Sequence, residues 1–584
     1  LIPVTKYLRA PLLLLICGWL SACAQLPEQT QGVADEGESE KSAVTTASPD
    51  AESASGSISP ELLYTLLIAE VAGQRKDYGL AVAHYIKAAY LSEDPQIAKR
   101  ATRTALFARN GAAAIDGAKR WVELAPEAID ARHLLVVLAL RSGDEELALD
   151  NLEAMVAQDG EAGVGRALNL ASASFANNEE RKRALLVMGK LAQNHPENAS
   201  VHYAFANLAL SANQAKAAVE GADQALTLKP GWPEARSVRG RALIKLGDVD
   251  AGLAVLAALV DEMPDSELYR LTYARALLVA ERQSDALKQF QILTEKNPDN
   301  SDVAFAYGLL LIDAGEVETA KPVFQGLIER RQRLHDAHYF LGRIEEQLEN
   351  HRKAIDHYAV VVAGERLYDA QLRVARLWYR LGNLDKGREH LKKLRDHNPE
   401  FAVPFFEAEA ALLQDSGAYE EAMKLYDEAL LSHPENADLL YARALTAEKI
   451  GRIDLLERDL RKILEKNPED TRSLNALGYT LVDKTERYQE AKQLIEHAYR
   501  LQPKEPSILD SMGWLNYRLG NHEQAIDFLR KALSNLQDGE IAAHLGEVLW
   551  VSGEQDEARQ IWKKAIDIEP DNKILKRVME RFLK

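Results

Sequence analysis

At 584 residues the chain exceeds what one hydrophobic core supports, because single cores stop growing near about 300 residues, so several domains or a repeat array are required. A composition of 47% hydrophobic, 27% charged and 7% aromatic residues, with 33 Gly and 20 Pro, excludes collagen-like, disulfide-scaffold and wholly disordered chains. Lys and Arg number 71 against 89 Asp and Glu, a net charge of −18 that repels phosphate backbones and argues against nucleic acid binding.

Residues 1–22 carry Lys6 and Arg9 ahead of an apolar stretch, Pro11–Leu20, that is too short to span a bilayer and suits a signal peptide. The run Leu20-Ser21-Ala22-Cys23 resembles the bacterial lipobox. That resemblance implies a lipidated Cys23 as the first mature residue, and Ala24 after it, rather than Asp, implies sorting to the outer membrane on its periplasmic face. The only cysteines, Cys17 and Cys23, both fall here, so neither a disulfide framework nor a Cys-based zinc site is expected in the folded body. Residues 23–58 hold Glu36, Glu38, Glu40, Asp50 and Glu52 among Ser, Ala, Thr and Gly, with no apolar period, and read as a flexible acidic tether behind the lipid.

Beyond it one pattern recurs. A small residue is followed by an aromatic or aliphatic residue four later, a small or aliphatic one seven later, and often Pro twelve later, as in Ala422, Tyr426, Ala429, Pro434. The leading position runs Ala81, Ala114, Ala148, Ala184, Ala218, Gly252, Ala286, Ala320, Ala354, Gly387, Ala422, Leu456, Ala491, Ala525 and Ala558, with every gap between 33 and 36 residues. A period of about 34 is the signature of the tetratricopeptide repeat, a helical hairpin.

Twelve positions earlier stands another small residue, such as Gly240, Gly308, Gly342, Gly513 or Gly546, that lets the two helices approach. Gly247-Asp248, Gly382-Asn383 and Gly520-Asn521 mark the turn between them, read as a helix-ending glycine and an N-capping side chain. Asn297-Pro298, His433-Pro434 and Asn467-Pro468 close the second helix. The expected fold is an all-α superhelix of about 15 hairpins, irregular over 59–196, regular over 197–570, with a basic capping helix over 571–584. Irregular spacing at 160–184 and 414–422 predicts a kink or domain seam there.

No phosphate-binding Gly loop, nucleophile elbow or His-Glu-x-x-His pair occurs, and Gly160, Gly163 and Gly165 lack the spacing and the preceding strand such loops need. His335, His338, His351 and His357 fall at a helix start and the polar positions of one hairpin, so no metal, cofactor or catalytic residue is expected. Trp121 and Trp562 fall on second-helix packing positions. Asn475, Tyr479, Asp510, Trp514, Tyr517, Arg518 and Trp550 fall on first-helix positions that face the groove of this repeat type, and Arg with aromatic residues is what protein-binding hot spots use. Core packing is the competing role of the two tryptophans among them. Arg343, Arg376, Tyr379 and Arg380 form a second, more basic groove candidate suited to a carboxylate-bearing partner.

The runs LYTLLIAEVAGQR (63–75), LNALGYTLVDKTERYQEA (474–491), ILDSMGWLNYRLGNHEQA (508–525) and AAHLGEVLWVSGEQDEARQIW (542–562), behind a lipobox, resemble the outer-membrane lipoproteins that partner the periplasmic carboxy-terminal processing protease CtpA. The resemblance implies a non-enzymatic adaptor that binds and activates the protease and helps present substrates such as peptidoglycan hydrolases. A repeat scaffold for exopolysaccharide or pilus secretion is the alternative that the same anchor and repeats allow.

Overall fold

The computed structural model describes residues 58–158 and 178–583. Cys23, the acidic tether up to residue 57, and Gly160, Gly163 and Gly165 lie outside them. The described residues form α-helices and a single 3-10 turn, Pro399–Phe401, with no strand. The chain divides into two compact units, Leu1–Arg330 and Arg331–Lys584. Among the described residues the first unit holds six complete helical hairpins, with the helix Ile129–Ser142, helical residues 145–158 and the helix Asn178–Asn194 besides, and the second unit holds seven and ends in Lys573–Phe582.

The two helices of a hairpin differ in kind because they bury different amounts of surface. The first helix Gly539–Val551 buries nearly its whole length, Ile541 to Leu549, whereas its partner Gln555–Ile568 buries only Ala558 and Trp562. This first helix is therefore apolar nearly all round and its partner amphipathic. All fifteen leading positions named above are buried, where the second helix meets its neighbours. The small residue of the first helix is a packing requirement: a Cβ on Gly513 would lie 2.5 Å from Leu529 Cγ, and one on Gly546 2.0 Å from Trp562 Nε1.

Turn chemistry follows expectation only in part. Gly247 (φ 101°) and Gly520 (φ 84°) take the left-handed conformation that ends the first helix. Where no glycine was available, Lys76, Arg109, Asn213, Glu281 and Glu349 adopt the same conformation at the corresponding turn. Asp248 caps the following helix through Ala251 N–H (3.4 Å), but Asn383 and Asn521 do not cap theirs. Asn383 donates instead to Leu381 O (2.9 Å) and Asn521 to Asn516 Oδ1 (3.3 Å), so these side chains are spent on the preceding turn.

The expected seam at 414–422 is an ordinary hairpin turn around Gly417 (φ 80°). The division between units falls at Arg330–Arg331 instead, where the Asn-Pro link is missing and Arg331 (φ 56°) and Arg333 (φ 45°) are both left-handed. The regular array expected over 197–570 has a second irregularity. Helix His351–Ala359 is a full turn shorter than other second helices, ended by the β-branched run Val360-Val361-Val362. Its exposed carbonyls are taken by the next hairpin: Gln371 Nε2 donates to Tyr358 O (3.2 Å) and Val361 O (2.7 Å). His390 Nε2 in turn donates to Gln371 Oε1 (2.7 Å), and burial holds that imidazole down at about 4, hence neutral.

The final helix acts as the expected cap. Leu575 and Val578 are buried in a cluster with Trp562, Leu545 and Leu549, and Phe582 stacks near Trp562 (6.0 Å). Asn572 Oδ1 caps its start by accepting from Leu575 N–H (3.0 Å).

Candidate partner-binding surfaces

At the C-terminal end of the second unit the first helices Thr471–Lys484, Pro506–Arg518 and Gly539–Val551 bring Asn475, Tyr479, Asp510 and Trp514 together with two residues absent from the sequence reading, Glu540 and His544. His544, 6% exposed, donates through Nδ1 to both oxygens of Asp510 (3.0 Å each). Burial alone would push this imidazole down. The Asp510 carboxylate, with Glu540 beyond it, outweighs burial and holds it above its ordinary value, and Nε2 faces the Tyr479 hydroxyl (3.4 Å). Tyr479 donates onward to Glu540 Oε1 (3.3 Å), whose carboxyl is raised by burial. Desolvation first, then Glu540, Asp510, Asp483 and Glu448, drive the Tyr479 phenol far up.

Trp514 stacks on His544 (4.3 Å between centroids, 24° between planes) and is 8% exposed; Asp510 is 7% exposed. Packing thus claims much of both residues, because the charged imidazole needs a carboxylate and takes an aromatic face as well. Trp514 Nε1 and Asn475 Oδ1 are nevertheless buried without a hydrogen-bond partner. Tyr517 is half-buried and donates to Glu547 Oε1 (3.4 Å). Half-buried Arg518 donates to the Tyr488 hydroxyl (2.7 Å) and lies over that ring. Trp550, also half-buried, stacks on Trp562 (5.7 Å) beneath the Arg559 guanidinium (4.8 Å).

The basic candidate is partly neutralised. Arg376 and Arg380 are exposed, and Arg343 and Tyr379 half-buried. Arg380 lies 3.8 Å from Glu346, which also binds Arg373, and Tyr379 packs beside Leu391 and Phe405. Of the histidines, His338 and His357 share one hydrogen bond (3.1 Å between Nδ1 atoms), and His335 faces Val360 O (3.1 Å). Among the described residues no cluster of three His, Cys, Asp or Glu is placed to hold a metal ion.

Repeat-family profiles described as tetratricopeptide repeat match residues 195–333, 306–368, 369–400, 407–455 and 483–540. Over 540 residues the chain is 34% identical to the TPR repeat-containing protein PA4667 of Pseudomonas aeruginosa, an alignment spanning 91% of this chain and 89% of that one. The chain belongs to the tetratricopeptide repeat family. Among solved structures, a tetratricopeptide repeat protein of Parabacteroides merdae is 16% identical over 43% of this chain and 100% of its own, with a TM-score of 0.36. Yeast Tom70 is 14% identical over 89% and 95%, with a TM-score of 0.34. In this tetratricopeptide array the first helices of successive hairpins touch one another, Ala199–Ser211 with Pro233–Leu246 and Thr471–Lys484 with Pro506–Arg518. They form the inner face that tetratricopeptide repeats offer to protein partners. In the two N-terminal hairpins it is the second helices, Tyr78–Leu91 and Gly111–Leu124, that touch.

Proposed function

We propose that the chain is an outer-membrane-anchored periplasmic adaptor that binds and activates a carboxy-terminal processing protease and helps present its substrates. The tetratricopeptide fold supports protein binding without catalysis, and the lipobox ending at Cys23 supports the anchor. The four sequence runs that resemble the protease-partner lipoproteins support the choice of protease. One observation carries the second unit's part in it: the Trp514 indole N–H and the Asn475 amide oxygen stand buried and unpaired on the inner face. An unmade buried hydrogen bond costs about 1–3 kcal/mol, and because both atoms are sealed from solvent an extended peptide recovers it only where its carbonyl and N–H draw these two side chains outward.

The test is a cross-linked pull-down of the tagged chain from membranes, read by mass spectrometry, beside a Cys23→Ser variant. A carboxy-terminal processing protease should be the enriched partner, and the variant should lose its lipid mass and leave the outer-membrane fraction. Enrichment of exopolysaccharide or pilus secretion components in its place would overturn the adaptor reading, and a variant of unchanged mass still in the outer membrane would overturn the anchor.

A further inference from the structure

Two clefts open between successive second helices of the second unit, and their linings differ. The one between His522–Asn535 and Gln555–Ile568 measures about 290 Å³, is apolar along Leu533, Ile561 and Ile568, and has its Arg530 held by Glu557 (2.9 Å). The one between Tyr419–Ser432 and Ile453–Lys466, floored by Ala437–Lys449, measures about 560 Å³ and is cationic. Lys424, Arg443, Arg452, Arg458 and Lys462 line it, opposed by Glu420 and Asp427.

One of these cations takes most of the negative charge within reach. Arg443 binds Asp459 through two hydrogen bonds (2.7 and 2.8 Å) and Asp427 through a third (2.6 Å). Exposed Arg458 reaches that same Asp459 (3.3 Å), and Lys462 donates to the Pro434 carbonyl (2.6 Å). Lys424 is exposed and, among the described residues, makes no ion pair. Lys424 and Arg458 occupy the same repeat position, two residues after the leading Ala422 and Leu456, so stacking sets like charges on the two walls. The repeats on either side place Glu389 and Gln493 there. Leu431, two turns after Lys424 on the same helix face, is 84% exposed, with buried Leu430 and Leu455 also in the lining. An aliphatic side chain standing in water beside cations suits a membrane surface, where headgroups meet the charges and acyl chains the apolar tip.

We propose that this cleft binds the headgroup of an anionic phospholipid, with Lys424 and Arg458 on the phosphate and Leu431 entering the acyl boundary. Charge complementarity selects the anion, because like charges one repeat apart are relieved by a negative group placed between them. Leu431 selects a lipid over a soluble phosphate, which has no apolar part to cover it. The net charge of −18 does not oppose the contact, since screening at physiological salt limits the reach of each charge to about 8 Å and the cleft's own surroundings decide. The site lies between second helices, away from the first-helix face, and requires no protease.

The experiment uses the chain from Ala24 onward, which keeps every described residue and carries no lipid of its own. Its flotation is followed with vesicles of phosphatidylcholine alone and of phosphatidylcholine with phosphatidylglycerol, at physiological salt. The phosphatidylglycerol vesicles should bind at least about thirtyfold more tightly, and Lys424→Gln with Arg458→Gln should abolish most of that difference. Leu431→Ser should weaken binding to the same vesicles about tenfold. Lys531→Gln, which removes an exposed cation already held by Asp527 (2.6 Å), should leave binding intact. Circular dichroism checks that the variants keep their helix. Equal binding to the two vesicles, or undiminished binding by the folded double variant, overturns the proposal. Release of the chain by millimolar inorganic phosphate, with Leu431→Ser binding as the wild type does, also overturns it, because the cleft would then hold any phosphate.

Discussion

The two units build their inner faces from the same hairpin and settle charge there in opposite ways. In the first, Arg241 and Lys245 of helix Pro233–Leu246 are exposed and, among the described residues, neither makes an ion pair; Lys245 reaches only Leu210 O (3.3 Å). In the second, His544 is enclosed by Asp510 and Glu540, and Tyr479 lies in the field of Glu448 and Asp483 as well. The difference comes from residues one repeat away. Asp510 stands 34 residues before His544, so stacking the hairpins delivers the counter-ion automatically. The corresponding neighbours of Arg241 are Asn207 and Arg275, and those of Lys245 are Ser211 and Val279, none of them acidic. In a solenoid, the residue one period away decides whether an inner-face charge becomes structure or remains available.

The strongest way to separate the units is to remove Trp562, fully buried between Gly546, Trp550 and the final helix. Trp562→Ala should cost the C-terminal hairpins about 3–5 kcal/mol, seen as an early melting transition, while the first unit keeps its own transition. A single transition that shifts as a whole would show that the two units do not unfold independently.

A smaller effect tests the neutralised network. Asp510→Asn should cost about 2–3 kcal/mol by leaving the buried imidazolium with an uncharged partner. The native pKa of His544 lies above its unfolded value, so its contribution is complete below about pH 6.5 and is lost as pH rises through the raised native value. Glu540, also raised, acts with the same sign. Urea midpoints of the second unit should therefore fall as pH rises above about 6.5 in the wild type. That slope should flatten in Asp510→Asn; a wild-type midpoint that is level or climbs with pH would show that His544 is neutral in the fold.

The smallest stability effect belongs to Tyr517→Ala with Arg518→Ala. Both side chains are half-buried, and Tyr517 packs against two apolar clusters, so a loss of about 1 kcal/mol is expected, a melting shift of a few degrees. Partner capture should drop about thirtyfold, the measure of a hot spot worth about 2 kcal/mol. Normal capture would move the contact to the wall around Arg376 and Arg380.

The hairpin array was legible because periodicity survives substitution. Leu456, Gly252 and Gly387 replace alanine at the leading position and are buried all the same. The exact turn chemistry was less so: Glu281 and Lys76 adopt a left-handed conformation that their side chains disfavour, because the hairpin geometry imposes it. The candidate site was legible as a face but not as a network. Asp510 and Trp514 looked like contact residues until His544 was placed between them, and the available signal was the acid one period before a histidine beside Gly546. Arg241 escaped notice because nothing local separates it from Arg239; only stacking shows which of the two has a partner.

The shortened helix His351–Ala359 has a consequence for the order in which the chain acquires structure. Its last carbonyls are satisfied by Gln371, and Gln371 is held by His390, so the hairpin cannot be finished from its own residues. Water holds these carbonyls until Gln371 replaces it, and His390 then fixes the orientation of that amide. Elsewhere each repeat lends its neighbour an apolar surface that tolerates approximate docking. Here the neighbour supplies one amide in one orientation, which makes this joint exacting about register.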